Sequence, residues 1–139
     1  MVKRLIMLSA SVVVFALLAG CGAQTRDARP AEQIVAERAE QRWSLLIEGE
    51  FGQAYQYLSP GARELESESQ YWRRLSQRRV QWVSAEVVSV DCEDNLCEAN
   101  IRVGYEIARA LPGVPRMQAH NRVLERWVFR DGVWYHAES

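Results

Sequence analysis

After Lys3 the chain contains no lysine, so every later basic side chain is an arginine. Histidine is nearly as scarce: His120 and His136 are the only two, and neither stands at metal-motif spacing. Long hydrophobic runs are missing except for the uncharged residues 5–19, and that run is too short for a comfortable membrane span. No concentrated basic stretch occurs either. With 17 Lys+Arg against 18 Asp+Glu the formal net charge is -1, a balance that speaks against a nucleic-acid binder. The arginines are scattered and form no phosphate- or carboxylate-binding motif.

What is present starts with the basic pair Lys3 and Arg4, then residues 5–19, then small residues followed at once by Cys21. This basic, apolar, small order is the layout of an export signal. Leu18, Ala19, Gly20 and Cys21 resemble the lipobox of bacterial lipoproteins. The resemblance implies that residues 1–20 are a signal peptide and that Cys21 is acylated, becomes the new N-terminus and holds the protein on a membrane. Residues 21–31 are expected to be the lipidated cysteine and a flexible tether, reaching on the order of 20 Å as a random coil. Residues 32–139 then form one domain with a modest core. Gly22 is not the aspartate that retains lipoproteins of enteric bacteria in the inner membrane. The expected location is therefore the bacterial cell envelope, on the outer membrane facing the periplasm.

With Cys21 assigned to the anchor, Cys92 and Cys97 remain as a pair in an exported protein, where disulfides persist. They flank Glu93, Asp94, Asn95 and Leu96, a polar turn between two β-like runs. A redox pair would favour a tighter Cys-x-x-Cys at a helix start, and a zinc site would need further ligands. The pair reads as a structural disulfide across a hairpin.

Over residues 32–50, Val35, Ala39, Trp43 and Leu46 recur at helical spacing, widened by Ile34 and Ile47, which predicts an amphipathic helix. Phe51, Ala54, Tyr55 and Leu58 mark a second, shorter helix, and Ser59, Pro60 and Gly61 predict a firm break. Ser67 with Gln70 resembles a capping box before a third helix carrying Tyr71, Trp72 and Leu75. Beyond Arg79 the period changes to alternation. Residues 80–90 form one strand, and Cys97, Ala99, Ile101, Val103, Tyr105 and Ile107 share a face of a second. Setting Cys92 opposite Cys97 puts Val90 against Ala99 and Val88 against Ile101, and then a polar Glu86 against Val103. A β-bulge near residues 86–88 that brings Ala85 to Val103 avoids this. Residues 109–119 hold Pro112, Gly113 and Pro115 and are expected to be irregular. Residues 122–129 are a third strand, Asp131 and Gly132 a tight turn, and residues 133–136 a fourth strand. Helices first and strands after predict an α+β domain, with the N-terminal helices packed on a curved antiparallel four-stranded sheet.

That order, with the stretch from Trp43 through Gly49, Phe51 and Tyr55 to Leu58, Ser59 and Pro60, and with the closing Trp127, Phe129, Asp131, Gly132, Trp134 and Tyr135, resembles the nuclear transport factor 2-like superfamily. The resemblance covers nearly all of residues 32–139. It implies a cone in which helices and bent sheet enclose a pocket, frequent dimers, and members that range from ketosteroid isomerases and scytalone dehydratase to non-catalytic binding modules. Fold alone does not choose among them.

Isomerase-type chemistry needs a carboxylate base and an acidic hydrogen-bond donor in one pocket. Tyr55, Tyr57 and Tyr105 are candidate donors, and Glu106 and Glu125 candidate bases. Glu106 alternates with Tyr105 and so points to the opposite face. Glu125 shares a face with Trp127 and Phe129. No position matches the isomerase or dehydratase active sites, so no catalytic residue is assigned. The candidate pocket is Trp43, Tyr55, Tyr105, Glu125 and Trp127, with Trp43 and Trp127 expected in the core. His120 and His136 are expected at the surface or at strand ends. Leu111, Val114 and Met117 are a candidate apolar lip, with folding back onto the domain the plainer outcome. The expected function is a non-catalytic ligand-binding or protein-interaction module, with a pocket enzyme or an accessory subunit of an envelope assembly as alternatives. Expected partners are the membrane through Cys21, an envelope protein or small apolar ligand, and a second copy through the sheet. No nucleic acid, cofactor or metal is expected.

Overall fold

The computed structural model describes residues 28–138, apart from the side chains of residues 108–111, 114 and 115. Cys21 and the signal segment lie outside the described residues, as do the side chains of Leu111 and Val114 from the candidate lip. Among the described residues the fold is α+β, with four helices preceding a four-stranded antiparallel sheet whose strands lie side by side in chain order.

Helix α1 (Ala31–Glu48) buries Val35, Ala39, Arg42, Trp43 and Leu46 along one stripe, the spacing that a 3.6-residue period requires. It stops at Gly49, whose φ of 83° lets its N–H reach the Leu45 carbonyl. Helix α2 (Phe51–Tyr55) follows, and Leu58 then runs beside β4 as a parallel bridge. The expected break at Ser59, Pro60 and Gly61 is instead the start of a further helix, α3 (Pro60–Leu65). Ser59 accepts a hydrogen bond from the Ala62 N–H at 3.2 Å, and Pro60, lacking an N–H, fits the first helical turn. Among the described residues there are thus four helices rather than three. Helix α4 (Glu68–Ser76) starts on the capping box of Ser67 and Gln70 that the sequence predicts.

Strands β1 (Gln81–Glu93) and β2 (Leu96–Leu111) meet with Cys92 opposite Cys97 and Val90 opposite Ala99. The bulge falls between Val87 and Ser89, so Val87 rather than Val88 faces Ile101, and Ala85 faces Val103. Val88, displaced by the bulge, is exposed. A second register shift between Trp82 and Ser84 brings Trp82 opposite Tyr105. Both bulges add bend to β1 and keep Trp82, Ala85, Val87 and Val90 against the core, while Val83 and Val88 are exposed.

Residues 109–119 are not the irregular connection that their prolines suggest. Strand β2 runs on to Leu111, Pro112 and Gly113 turn the chain, and β3 (Val114–Arg130) returns with Leu111 opposite Val114. Gly113, at φ 79°, supplies the left-handed turn residue. Pro115 is tolerated because β3 has no strand partner on its far side there among the described residues. Asp131 and Gly132, at φ 50° and 84°, form the tight turn into β4 (Val133–Ala137).

Cys97, Ala99, Ile101, Val103, Trp127 and Trp134 of the sheet pack against Val35, Ala39, Trp43 and Leu46 of α1 and against Tyr55, Leu58, Tyr71 and Leu75. The sheet's inner face is therefore the floor of the core. The outer face carries charged pairs such as Arg102 with Glu86 and Arg126 with Glu98.

Cys92 and Cys97 are bonded across the end of the β1–β2 hairpin, their Cα atoms 4.0 Å apart. The loop they close is short, so replacing both by alanine is expected to lower the free energy of unfolding by about 2 kcal/mol. Urea denaturation of oxidised protein and double variant measures it; equal midpoints would contradict the assigned role.

A carboxylate between two indoles

The inner face of β3 places Glu125 and Trp127 under α1. Position 42 lies on the same stripe of that helix as Val35 and Leu46, so Arg42 enters the core beside Trp43. Glu125 receives them all. Arg42 Nη1 and Trp43 Nε1 each donate to its Oε1 at 2.8 Å, and Trp127 Nε1 donates to Oε2 at 3.1 Å. Arg42 Nη2 reaches the Tyr71 hydroxyl at 3.5 Å. The side chains of Arg42 and Glu125 are only 6% and 3% exposed, which makes this a buried ion pair and not a surface one.

His136 completes the cluster. It sits on β4, whose alternation turns Trp134 and His136 inward, and its Nε2 lies 3.9 Å from Glu125 Oε1. Its ring also meets Trp127 edge-on, with centroids 5.6 Å apart. Its backbone ties β4 to the segment after α2: His136 N–H donates to the Tyr57 carbonyl at 2.7 Å, and Ser59 N–H donates to the His136 carbonyl at 2.8 Å. Burial, reinforced by the Arg42 charge, pushes the imidazole pKa down to about 2. The ring is thus neutral at physiological pH and its approach to Glu125 is not an ion pair. Burial also pushes the Glu125 pKa up, while Arg42 and the two indole N–H groups pull the other way. Burial raises the Tyr71 pKa as well.

The cluster opens onto a groove of about 680 Å³ between α1, α4 and the β3–β4 side of the sheet, with Trp82, Leu75, Arg74 and Glu138 along its walls. Trp82 stands edge-on to Trp43 at 5.1 Å, and the Arg78 guanidinium stacks on its other side at 3.9 Å. Arg42 Nε and His136 Nδ1 are buried without a hydrogen-bond partner among the described residues.

Of the five candidate pocket residues, the structure brings together Trp43, Glu125 and Trp127. Tyr55 is one ring removed: it stacks edge-on against Tyr71 at 5.5 Å, and its hydroxyl donates to the Glu66 carbonyl at 2.8 Å. Tyr105 belongs to a neighbouring hollow of about 330 Å³ that shares Trp82 and Val123 with the groove. Trp43 and Trp127 lie in the core. His120 is exposed, whereas His136 is at a strand end but buried. Arg42, Tyr71 and His136 are the members that sequence reasoning did not place in the site. A signal existed for two of them: Arg42 interrupts an otherwise apolar helical stripe, and His136 alternates with Trp134.

No protein-family model and no curated protein matches the chain. Among solved structures, a SEC-C motif containing protein from Rhodopseudomonas palustris superposes with a TM-score of 0.53 at 14% identity, covering 73% of each chain. That likeness concerns the fold alone. Among the described residues no group of three His, Cys, Asp or Glu side chains could hold a metal ion, and no helix is long and apolar enough to cross a membrane.

Two outcomes are expected. Glu125→Gln leaves the Arg42 charge buried and unpaired and should cost about 3–5 kcal/mol. Adding Arg42→Met to Glu125→Gln should return part of that loss in a double-mutant cycle read by chemical denaturation. Acid should also destabilise the fold through His136. Its folded pKa is depressed, so its contribution is complete above the unfolded value of 6.5 and is lost as pH falls from there towards about 2. Glu125, raised in the folded state, acts with the opposite sign from its unfolded value of 4.5 upwards and so softens the upper part of that window without reversing it. Melting temperature should therefore fall between pH 7 and pH 5, and His136→Gln should flatten the dependence.

Proposed function

We propose that this chain is a bacterial envelope lipoprotein, anchored through acylated Cys21, whose single domain is a non-catalytic binding or interaction module of the nuclear transport factor 2-like type. One observation carries the non-catalytic reading. Glu125, the carboxylate buried in the core, accepts hydrogen bonds from Arg42, Trp43 and Trp127, so its oxygens are already engaged and it is poorly placed to take a substrate proton. The groove beside it offers apolar and aromatic walls with a few polar positions, the usual make-up of a binding site. A sheet with helices on its inner face and an open groove between them agrees with a cone, and the bonded Cys92 and Cys97 agree with an oxidising compartment.

The raised pKa of Glu125 is the observation that favours an enzyme instead. Against it, the Tyr55 hydroxyl is turned to the Glu66 carbonyl, the Tyr57 hydroxyl to Gln41 Oε1, and Tyr105 lines a different hollow, so none of the three candidates supplies the acid donor that isomerase chemistry needs beside the carboxylate.

Growth of the expressing bacterium with a labelled fatty acid tests the anchor: label should appear on the wild-type chain and vanish with Cys21→Ala. Label that survives the substitution, or none on the wild type, overturns it. Crosslinking of the acylated protein in membranes, read by mass spectrometry, should then recover a bound ligand or partner at residues of the groove.

A further inference from the structure

Strand β3 is far longer than the strand that covers it. It spans Val114–Arg130, yet β4 pairs with it only from Arg126 to Arg130. Among the described residues, 114–125 therefore have no strand on that side. The register tells which backbone groups are left over. The turn at Asp131 and Gly132 closes on Arg130 opposite Val133, and the Phe129 N–H donates to the Asn95 carbonyl on the β2 side. In an antiparallel ladder these directions alternate. The pairing with β2 shows no shift between Arg116 and Val128. Gln118, His120, Arg122 and Leu124 thus turn both N–H and C=O to the open edge, where the Arg122 N–H donates to the neighbouring Asn121 Oδ1 at 2.8 Å, a local bond that an added strand would replace. Such an edge is a template for another strand.

The space beside the edge is open where a strand would enter. The groove begins where β4 ends, at Ala137 and Glu138, and is bordered by Val123 and Leu124 of β3 and by Leu75 of α4. A segment laid in line with β4 would find Leu75, Trp82 and Val123 on its inner side, with Arg74 and Glu138 beside them. On its outer side the charge that β3 itself offers there is of one sign. No Asp or Glu occurs over residues 107–124, whereas Arg109, Arg116 and Arg122 do. On the outer face Glu86, Arg102 and Arg122 stand in one cross-strand row. Glu86 holds Arg102 at 2.9 Å, and Arg122 makes no ion pair among the described residues. The next place in that row is empty. Arg116 and Arg126 are only loosely held, 3.4 Å from Glu106 and 3.6 Å from Glu98.

We propose that the free edge of β3 captures an extended acidic segment of a partner protein by strand addition, with apolar residues of that segment turned into the groove and acidic ones opposite Arg122 and Arg116. This deepens the interaction-module reading and rests on it. A second copy of the chain is the wrong occupant. Antiparallel self-pairing centred on Ala119 sets Arg116 against Arg122, and every other register still brings an edge without acids against another. Like charges directly opposite are destabilising.

The test uses the full chain in detergent and a capped probe peptide of about eight residues alternating valine and glutamate. Amide hydrogen exchange should show new protection at Gln118, His120, Arg122 and Leu124. The same peptide N-methylated at alternate residues should bind about tenfold more weakly or not at all, as should a valine–lysine peptide. Arg122→Glu, an exposed change that should leave the thermal melt unaltered, should reverse the preference between the two charged peptides. Protection of these amides without peptide that grows with protein concentration would instead identify self-pairing and overturn the proposal. So would absence of edge protection at saturating probe. If the indole signals of Trp43 and Trp82 then still respond to probe, the groove binds by side chains alone; strand addition fails while the interaction-module reading stands.

Discussion

Glu125 sits under α1 with a positive charge and two indole N–H groups aimed at it, and most of the domain's architecture can be read as the means of keeping that carboxylate satisfied out of water. A buried carboxylate with no partners would neutralise or unfold its surroundings. Here Arg42 and Trp43 come from α1, Trp127 from β3, and the nearby His136 from β4. Displacing any one of these elements leaves a charge or an N–H stranded in the core. The cluster therefore fixes the position of α1 along the sheet in a way that apolar packing, which tolerates sliding, does not. Its cost in desolvation is real, and a fully apolar version of the same core need not be less stable. The benefit lies in specifying one arrangement of helix on sheet.

The same cluster separates holding from reacting. A general base needs a free lone pair facing its substrate, whereas Glu125 faces donors from its own chain. The unused atoms are Arg42 Nε and His136 Nδ1, and the ring that carries Nδ1 is neutral. They form no proton relay, because the His136 ring does not gain a proton near neutral pH.

How much of this could be read from residues alone follows the physics of each feature. The apolar period of α1, the capping box at Ser67, the bulge in β1 and the turn at Gly132 are local signals, written within a few residues, and they appear where the sequence puts them. Pro60 and Pro115 misled for the opposite reason. Proline breaks a helix or strand only where an N–H is needed, and whether it is needed depends on neighbours far along the chain. Pro60 occupies a first helical turn, and Pro115 stands in the stretch of β3 that β4 does not reach. In the site, alternation put Glu125 and Trp127 on one face, but nothing in one sequence says that Arg42 lies across from them. That contact spans 83 positions and exists only once helix and sheet have met.

The placement of the two ends gives the domain a direction. The start of α1 shares a hollow with Asp94, Asn95 and Gly132, the turns at one end of the sheet. The hairpin tip at Pro112 and Gly113 lies at the far end of β2, a strand of 16 residues and so on the order of 50 Å long. A lipid anchor ahead of α1 would bring the turn end towards the membrane and carry the tip away from it. The open edge of β3 would then run outward from the groove, with its arginines furthest from the anionic headgroups that would otherwise compete for them. On this geometry a lipid anchor ahead of α1 and the edge would work together, since the lipid would set which end of the domain faces the membrane and the uncovered strand would be what it presents to the space beyond.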